Sequence, residues 1–156
     1  MDWMEIFRDG VLPCLCSFIG CIGYSIIYNI QGKRLIPVGL GGVLSWGVYL
    51  LCGAFLPGPA SYFLAAVALS LYSEIMARVV KAPVTVFLLI ALFPLVPGGG
   101  IYYTMEYGLL GETQQFLESL LSTLGTAGAL AVGILLVSSA MRLGVRLREL
   151  WRVKPL

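Results

Sequence analysis

The sequence contains no histidine and little charge of either sign. Of its 156 residues, 12% are Asp, Glu, Lys or Arg, which is about half the charged fraction of an average soluble domain. Without histidine, the chain has no imidazole to act as a general base, a metal ligand or a pH switch. No apolar segment carries paired carboxylates, and no nucleophile lies beside a base. We therefore expect a protein that is not an enzyme and that holds no metal or cofactor.

Cysteine is present but isolated from other ligand types. The residues Cys14, Cys16, Cys21 and Cys52 all lie inside apolar segments. These segments lack the polar or charged partners that a zinc or haem site would need. Thiols buried between packed helices are also poor candidates for disulfides. We interpret all four as small packing residues.

Long apolar stretches make up most of the chain. The sequence is 59% hydrophobic, and its mean hydropathy is +0.93. A bilayer core about 30 Å thick takes about 20 apolar residues of helix. The pattern predicts an all-α integral membrane protein, a bundle of about five transmembrane helices in one membrane domain over residues 1–156. The predicted spans are about 11–30, 35–56, 60–80, 84–107 and 117–141, and the long fifth helix continues as an amphipathic cytoplasmic extension at about 142–152.

Basic residues fall in three short segments that alternate with connections poor in Lys and Arg. These segments contain Lys33 and Arg34, then Arg78 and Lys81, then Arg142, Arg146, Arg148, Arg152 and Lys154. Cytoplasmic loops carry an excess of Lys and Arg, so five spans place the N-terminus outside and the C-terminus inside. The net charge of +2 is dispersed at helix ends and does not favour a nucleic-acid partner. We expect the last basic run to contact lipid headgroups.

Small residues recur at helical spacing in two of the spans. Gly41, Ser45 and Gly53 share one face of the second span, and Gly125, Ala129 and Gly133 share one face of the fifth. Small side chains let helix backbones approach each other closely in a membrane. These faces serve either internal packing or contact with partner helices.

The fourth span is interrupted in its second half. Pro94, Pro97 and the triple glycine Gly98, Gly99 and Gly100 follow a dense apolar run, and Tyr102 and Tyr103 come directly after them. Proline removes a backbone donor, and glycine weakens a helix. Backbone groups freed at membrane depth are tolerated where protein or a water-filled cavity covers them. A helix broken inside the membrane is therefore a candidate substrate site, and the alternative is a proline kink used for packing or a break near the surface.

One charged pair lies inside the third span. Glu74 and Arg78 are one helical turn apart on the same face, where a carboxylate and a guanidinium can neutralise each other. Ionisable residues in membrane spans usually face a partner or a cavity. The pair is either a structural ion pair that holds the helix end or a proton or substrate site.

Two further polar residues lie near the ends of spans. Asn29 closes the first span and is either an interfacial cap or a substrate contact. Thr85 follows Pro83 at the entry to the fourth span, where it can cap the helix or form a hydrogen bond.

Two proline motifs carry a resemblance to a known family. The first is Lys81-Ala82-Pro83-Val84-Thr85-Val86-Phe87, and the second is Phe93-Pro94-Leu95-Val96-Pro97-Gly98 with the aromatic Tyr102 after it. Pro13, Asn29, Arg34, Glu74 and Arg78 also match. Over nearly its whole length the chain resembles the threonine/serine exporter family, specifically the small YjjB-type subunit. Gly99 and Gly100 depart from the pattern, since other members can carry bulkier residues there.

The resemblance implies half of a transporter in the bacterial cytoplasmic (inner) membrane. In this family, a larger YjjP-like membrane subunit and a small subunit together export threonine and serine, or dicarboxylates such as succinate, with the proton gradient as the driving force. A small-molecule substrate, the larger subunit and membrane lipids are therefore the expected partners, with a homo-oligomer as a further possibility.

These expectations give a hypothesis for the mechanism. Backbone N–H groups at Gly98, Gly99 and Gly100 begin a half-helix whose dipole favours a substrate carboxylate. Carbonyl groups freed by Pro97, with Tyr102 and Tyr103, would orient the rest of the substrate. Glu74 is the candidate proton carrier, because burial disfavours the charged form of a carboxyl group, and Arg78 is the candidate counter-charge. The alternatives are a non-transporting membrane scaffold and a homo-oligomeric channel.

Overall fold

The protein is an all-α membrane protein in the computed structural model, which describes residues 7–30 and 32–152. A short π-helical turn, Phe7–Val11, precedes the first helix, and a 3₁₀ turn, Gly32–Arg34, precedes the second. No strand occurs within the described ranges. The helices are α1 (Leu12–Ile27), α2 (Leu35–Gly53), α3 (Gly58–Val80), α4 (Val84–Leu92), α5 (Gly98–Leu110) and α6 (Thr113–Arg152).

Three unbroken helices are long and apolar enough to cross a membrane. They are α2, α3 and the Thr113–Leu147 part of α6. A fourth candidate span consists of α4 with its 3₁₀ continuation, Phe93–Leu95, and α5, which is bent from it by 51°. Helix α1 is apolar but has 16 residues, so it extends about 24 Å. The five predicted spans therefore correspond to three full helices, one bent pair and one shorter helix.

The broken fourth span and the long last helix were both predicted, and both are confirmed. The break separates the 3₁₀ turn Phe93–Leu95 from α5, where the prolines and the triple glycine indicated it. Helix α6 runs for 40 residues, which is about 60 Å. That length exceeds the thickness of a hydrocarbon core, so α6 continues beyond the span.

Helices α3 and α6 run parallel and lie in close contact. A Cβ atom added at Gly133 would come within 2.9 Å of the Ala66 Cβ and of the Phe63 carbonyl oxygen. Further along, Arg78 lines a groove with Met141 and neighbouring residues of α6. Helix α2 runs antiparallel to α3, and the Tyr72 hydroxyl donates to the Pro37 carbonyl at 2.6 Å.

The contacts bring basic residues to one end of the bundle. Arg34 directly precedes α2, Arg78 lies in the last turn of α3 with Lys81 directly after it, and Arg142 follows the groove residue Met141 on α6. The α5–α6 turn with Glu112 lies at the other end. The basic residues named here therefore lie at the same end of the bundle.

The two small-residue faces have different neighbours along their length. Gly41 packs against Tyr72 and Ala91, and Gly133 packs against α3. At Gly53 and Gly125, an added Cβ would meet nothing within 4 Å. Each face thus serves internal packing at one position and is open at another.

Candidate functional site

The break is a short non-helical link between α4 and α5. After the 3₁₀ turn, Val96 has an extended backbone with φ −62° and ψ 126°, and Pro97 is the N-cap residue of α5. Leu95, just before the link, is fully buried in a cluster with Ala66 and Leu69, which lie in the middle of α3. The break therefore lies at the level of the middle of α3 rather than near an end of the bundle.

Helices α1 and α2 supply donors to the carbonyl groups before the break. Pro94 has no N–H, so the Ile90 carbonyl loses its ordinary donor four residues on and accepts from the Phe93 N–H instead. The Cys21 Sγ of α1 donates to this carbonyl oxygen at 3.3 Å. The Ser45 Oγ of α2 donates to the neighbouring Ala91 carbonyl at 2.9 Å. We call this group of carbonyls and donors the carbonyl side of the break.

The Phe93 carbonyl, four residues before Pro97, also accepts a hydrogen bond from the chain. Proline at position 97 removes the helical donor of the Phe93 carbonyl, and the Val96 N–H donates to that oxygen at 3.3 Å. The Pro97 carbonyl accepts from the Ile101 N–H at 3.1 Å. The hypothesis that carbonyls freed by Pro97 orient a substrate therefore concerns oxygens that already accept one hydrogen bond.

Close contact between α1 and α2 holds the Cys21 thiol within reach of the Ile90 carbonyl. Cys21 is fully buried, and a Cβ atom added at Gly42 would collide with its Sγ and come within 3.2 Å of the Ser17 carbonyl oxygen. The missing side chain at Gly42 leaves the space that the thiol occupies. Cys21 is thus both a packing residue, as predicted, and a hydrogen-bond donor to the break.

The other side of the break, which we call the amide side, is the beginning of α5. The Gly98 N–H donates to the Val96 carbonyl at 2.7 Å. Since the first N–H groups of a helix have no partner within it, the N–H groups of Gly99 and Gly100 are the donors of this first turn. Gly98 and Gly99 are exposed, and an added Cβ at either would meet nothing within 4 Å. The amide side is therefore open at the surface of this chain.

A hydroxyl cluster joins the amide side to α6. The Thr104 Oγ1 donates to the Gly100 carbonyl at 2.7 Å and lies 2.8 Å from the Ser119 Oγ. The Thr123 Oγ1 donates to the Ser119 carbonyl at 2.7 Å, and a Cβ added at Gly100 would collide with it. Our sequence reasoning missed this cluster, although the spacing of four residues from Ser119 to Thr123 was a visible signal.

Both tyrosines after the triple glycine are exposed. The Tyr102 and Tyr103 rings are 5.4 Å apart in a T-shaped arrangement, and Tyr103 also stacks on Tyr107 at 6.4 Å. Their exposure places them on the outer side of α5. The pair thus lies on the same open side as Gly98 and Gly99.

Glu74 and Arg78 form the ion pair that their spacing indicated. The Arg78 Nη2 lies 3.5 Å from the Glu74 Oε2, and the side chains are 51% and 16% exposed respectively. Among the residues the structure describes, no hydrogen bond or ion pair joins this pair to the triple glycine. Glu74 lies five residues beyond Leu69, which packs near the break, so the two sites are about 7 Å apart along the axis of α3.

Asn29 and Thr85 have different local roles. Asn29 has a left-handed backbone, with φ 55°, and its N–H donates to the Ile26 carbonyl while the Ile30 N–H donates to the Ser25 carbonyl. This is the Schellman arrangement that ends a helix, so Asn29 caps α1 through its backbone. Thr85 is exposed in the first turn of α4, and no side-chain hydrogen bond caps that helix.

A cavity of about 280 Å³ borders the carbonyl side of the break. Its walls include Pro13 and Ser17 of α1, Trp46 of α2, and Phe93 and Pro94. The buried Nε1 of Trp46 has no hydrogen-bond partner in the described part of the chain, and neither do the buried hydroxyls of Ser70 and Ser73. No group of three or more Cys, Asp or Glu residues that could hold a metal ion was found within that part.

The comparisons with known proteins point to one family. A sequence model described as threonine/serine exporter, ThrE, matches residues 13–140, which is most of the chain and includes both sides of the break. No curated protein and no solved structure matches the chain. Because this family model covers most of a chain built from apolar helices with a broken span, the protein belongs to the threonine/serine exporter family.

Proposed function

We propose that this chain is one subunit of a secondary exporter that moves small carboxylate-bearing metabolites out of the cytoplasm. Membership of the threonine/serine exporter family supports threonine and serine as cargo, and dicarboxylates such as succinate share the carboxylate group. The single observation that carries the proposal is the asymmetry of the break. Its carbonyl side is closed by Cys21 and Ser45, whereas its amide side at Gly99 is open.

The open amide side supports a site that is completed by a second subunit. A donor group in the middle of a membrane must be covered by protein or by a water-filled cavity. A Cβ atom added at Gly98 or Gly99 would have no neighbouring atom within 4 Å, so no side chain of this chain covers these positions. The larger YjjP-like subunit would supply the missing wall, and cargo would bind between the two subunits.

The chemistry of the amide side suits a carboxylate. Backbone N–H groups at Gly99 and Gly100 point from the first turn of α5, and the helix dipole adds a partial positive charge there. At Gly99, where no side chain is near the Cβ position, an anion can approach the backbone closely because no Cβ intervenes. Tyr102 and Tyr103, exposed on the same side, would contact the rest of the cargo molecule.

Glu74 and Arg78 are the groups through which a proton would act. Protonation of Glu74 would remove the negative charge that holds Arg78 at 3.5 Å and would free the guanidinium as a counter-charge for cargo. We place the chain in the bacterial cytoplasmic membrane as a multi-pass protein, with the basic end of the bundle inside. Protons entering from the outside would then drive export.

Export measured with the larger subunit co-expressed tests the cargo site. We expect Gly99→Leu to reduce threonine or succinate export at least tenfold, because the side chain fills the approach to the amide groups. The matched control is Gly23→Leu in α1, another exposed glycine at which a Cβ would meet nothing within 4 Å. Wild-type export by Gly99→Leu would overturn the proposed site.

The proposed role of Glu74 in coupling export to the proton gradient needs a separate measurement. We expect Glu74→Gln to abolish export driven by a pH gradient while it leaves cargo exchange across the membrane largely intact. An unchanged response to the pH gradient would remove Glu74 from the coupling mechanism without affecting the cargo site.

Reconstitution into vesicles separates the proposal from the two alternatives. Flux that requires both subunits supports the half-transporter. Flux from this chain alone, without dependence on a proton gradient, would indicate a homo-oligomeric channel. Full export by a complex in which the amide side of the break has been blocked would indicate that this chain is a non-transporting scaffold.

A further inference from the structure

Two buried hydroxyl groups in α3 have no hydrogen-bond partner within the described residues. Ser70 is 1% exposed and Ser73 is 0% exposed, and the Oγ atom of each is unpartnered. A buried polar group without a partner is uncommon, because nothing compensates the loss of its hydrogen bonds to water. A partner that approaches in another state of the protein would explain such a group.

Other helical hydroxyl groups of this protein bond to their own backbone. Five side chains donate to the carbonyl group four residues before them: Ser25, Ser61, Thr104, Thr123 and Thr126. This is the usual bond of a serine or threonine inside a helix. Ser70 does not form it with the Ala66 carbonyl, so the donor capacity of the Ser70 hydroxyl is uncommitted.

The carboxyl group of Glu74 lies between two polar side chains of the same helix face. Ser70 comes one helical turn before Glu74, and Arg78 comes one turn after it; residues four apart in a helix have Cβ atoms about 5–6 Å apart. The carboxylate pairs with Arg78 at 3.5 Å, and that guanidinium is 51% exposed. Helical side chains tilt toward the N-terminus of their helix, so Ser70 is also within the reach of Glu74.

Helices α2 and α4 bring little charge to the level of Glu74. The bond from the Tyr72 hydroxyl to the Pro37 carbonyl places the first turn of α2 at this level. Arg34 directly precedes that turn and is exposed. The titratable residues within α2 are Tyr49 and Cys52, at its far end, and α4 contains none.

Helix α6 also leaves the inner side of Glu74 without charge. Gly133 contacts Ala66, and α6 runs parallel to α3, so Met141 lies at the level of Glu74, two turns further along. The nearest charged residue of α6 is Arg142, which is exposed and follows Met141 toward the basic end. Glu74 therefore has cations toward the basic end of the bundle and uncharged groups toward its middle.

We propose that Glu74 has a second position, in which its protonated carboxyl group turns away from Arg78 and accepts a hydrogen bond from the Ser70 hydroxyl. Uptake of a proton removes the charge that holds the carboxyl group at the guanidinium, and a neutral carboxylic acid costs far less to bury than a carboxylate. Ser70 is thus a positioning residue for the proton-carrying group. This inference rests on the proposed coupling role of Glu74.

The second position connects the proton to the break. Ser70 is one turn deeper than Glu74, or about 6 Å along the helix axis. Its neighbour Leu69 packs in the same buried cluster as Ala91 and Leu95, which come shortly before the break. Protonation therefore brings the carboxyl group to the residues that support the break and frees the Arg78 guanidinium on the exposed side.

Infrared difference spectra of the purified full chain in detergent, between neutral and acidic pH, test this position directly. The C=O stretching band that is missing in Glu74→Gln belongs to protonated Glu74. We expect Ser70→Ala to move this band to higher frequency, because the C=O group loses a hydrogen-bond donor. Ser73→Ala is the matched control: Ser73 is equally buried and unpartnered but is about 100° from Glu74 around the helix, so the band should not move.

Three spectral results would overturn the second position. They are a band that stays in place in Ser70→Ala, a band that moves equally in the two serine variants, and the absence of any Glu74 band at acidic pH. Each serine variant removes one oxygen atom that has no partner. Thermal unfolding in the same detergent should therefore give wild-type stability for both.

Export by the complex with the larger subunit separates this inference from the proposed function. Ser70→Ala should reduce export driven by a pH gradient about fivefold, the effect of one hydrogen bond, and should leave cargo exchange intact, whereas Ser73→Ala should change neither. Loss of driven export in Glu74→Gln with an unmoved band in Ser70→Ala would remove the second position and keep the coupling role. A moved band in Ser70→Ala with full driven export in Glu74→Gln would keep the second position and remove the coupling role.

Discussion

The two sides of the broken fourth span are built in opposite ways. On the carbonyl side, Cys21 and Ser45 reach across from α1 and α2 to the carbonyl oxygens of Ile90 and Ala91, which come shortly before Pro94. On the amide side, α5 begins with Gly98 and Gly99 exposed and without side-chain neighbours. The same break thus has one side closed by hydrogen bonds from other helices and one side that is open.

Under the proposed function, this difference assigns a structural role to the carbonyl side of the break and cargo binding to the amide side. Free carbonyl groups in a membrane interior are costly unless a donor reaches them, and α1 and α2 supply side-chain donors in addition to the Phe93 N–H, which donates to the Ile90 carbonyl. The amide groups keep their donor capacity for a ligand or a second subunit. Mutations on the carbonyl side should therefore affect folding, and mutations on the amide side should affect export.

The largest expected effect is on the close contact that supports the carbonyl side. Gly42→Leu should destabilise the protein by about 3 kcal/mol, near the upper end of the usual cost of overpacking, because its Cβ would collide with the Cys21 Sγ. Reversible unfolding in detergent, followed by the fluorescence of the three tryptophans, measures the change. Wild-type stability would show that α1 and α2 are not in close contact at this point.

Loss of a single donor on the carbonyl side should have the next largest effect. Ser45→Ala removes the hydroxyl that donates to the Ala91 and Gly42 carbonyls, and we expect a loss of about 1–2 kcal/mol in the free energy of unfolding. Ser139→Ala, on the exposed surface of α6, is the control and should change stability little. Equal effects of the two variants would mean that the Ser45 hydrogen bonds contribute nothing.

Two adjacent glycines on the amide side should respond with opposite signs. Gly99→Ala should stabilise the protein by about 0.5–1 kcal/mol, since alanine is the better helix residue and the added Cβ has open space. Gly100→Ala should destabilise it by about 1 kcal/mol, because the Cβ would collide with the Thr123 Oγ1 and the cost of overpacking exceeds the gain in helix propensity. Thermal unfolding of both variants in one detergent compares them, and a shared sign would contradict the described contact with α6.

The smallest expected effect is on the hydroxyl cluster. Thr104→Val keeps the shape of the side chain but removes its bonds to the Gly100 carbonyl and the Ser119 hydroxyl. Hydrogen bonds between membrane helices contribute about 0.6 kcal/mol on average, so a loss of that order is expected. Thr85→Val, at an exposed threonine in α4, is the stability control. A loss above about 2 kcal/mol would mean that the cluster holds α5 in place more firmly than these bonds explain.

Much of the fold was predictable because its signals are local. Apolar runs marked the helices, and Pro94, Pro97 and the triple glycine marked the break. The spacing of Glu74 and Arg78 predicted an ion pair, which the structure contains at 3.5 Å. Each of these features depends on residues within a few positions of one another.

The donors of the carbonyl side were not predictable in the same way. Cys21 and its acceptor Ile90 are 69 residues apart in the sequence, and Ser45 and Ala91 are 46 residues apart. A cysteine or serine in an apolar helix is equally compatible with simple packing, and only its neighbour across the helix interface gives it a partner. The openness of Gly99 and the closed environment of Gly100 also depend on which face of α5 meets α6.

The sequence by itself determined the class of protein, the number of apolar segments and the position of the interruption, because hydrophobicity, proline and glycine act on the backbone where they stand. The tertiary structure decided which groups of that interruption are bonded and which are open. Hydrogen bonds act over about 3 Å, and only the packing of α1, α2 and α6 around the bent span brings their donors and acceptors that close. The proposed assignment of the closed side to stability and of the open side to transport therefore rests on the arrangement of the helices.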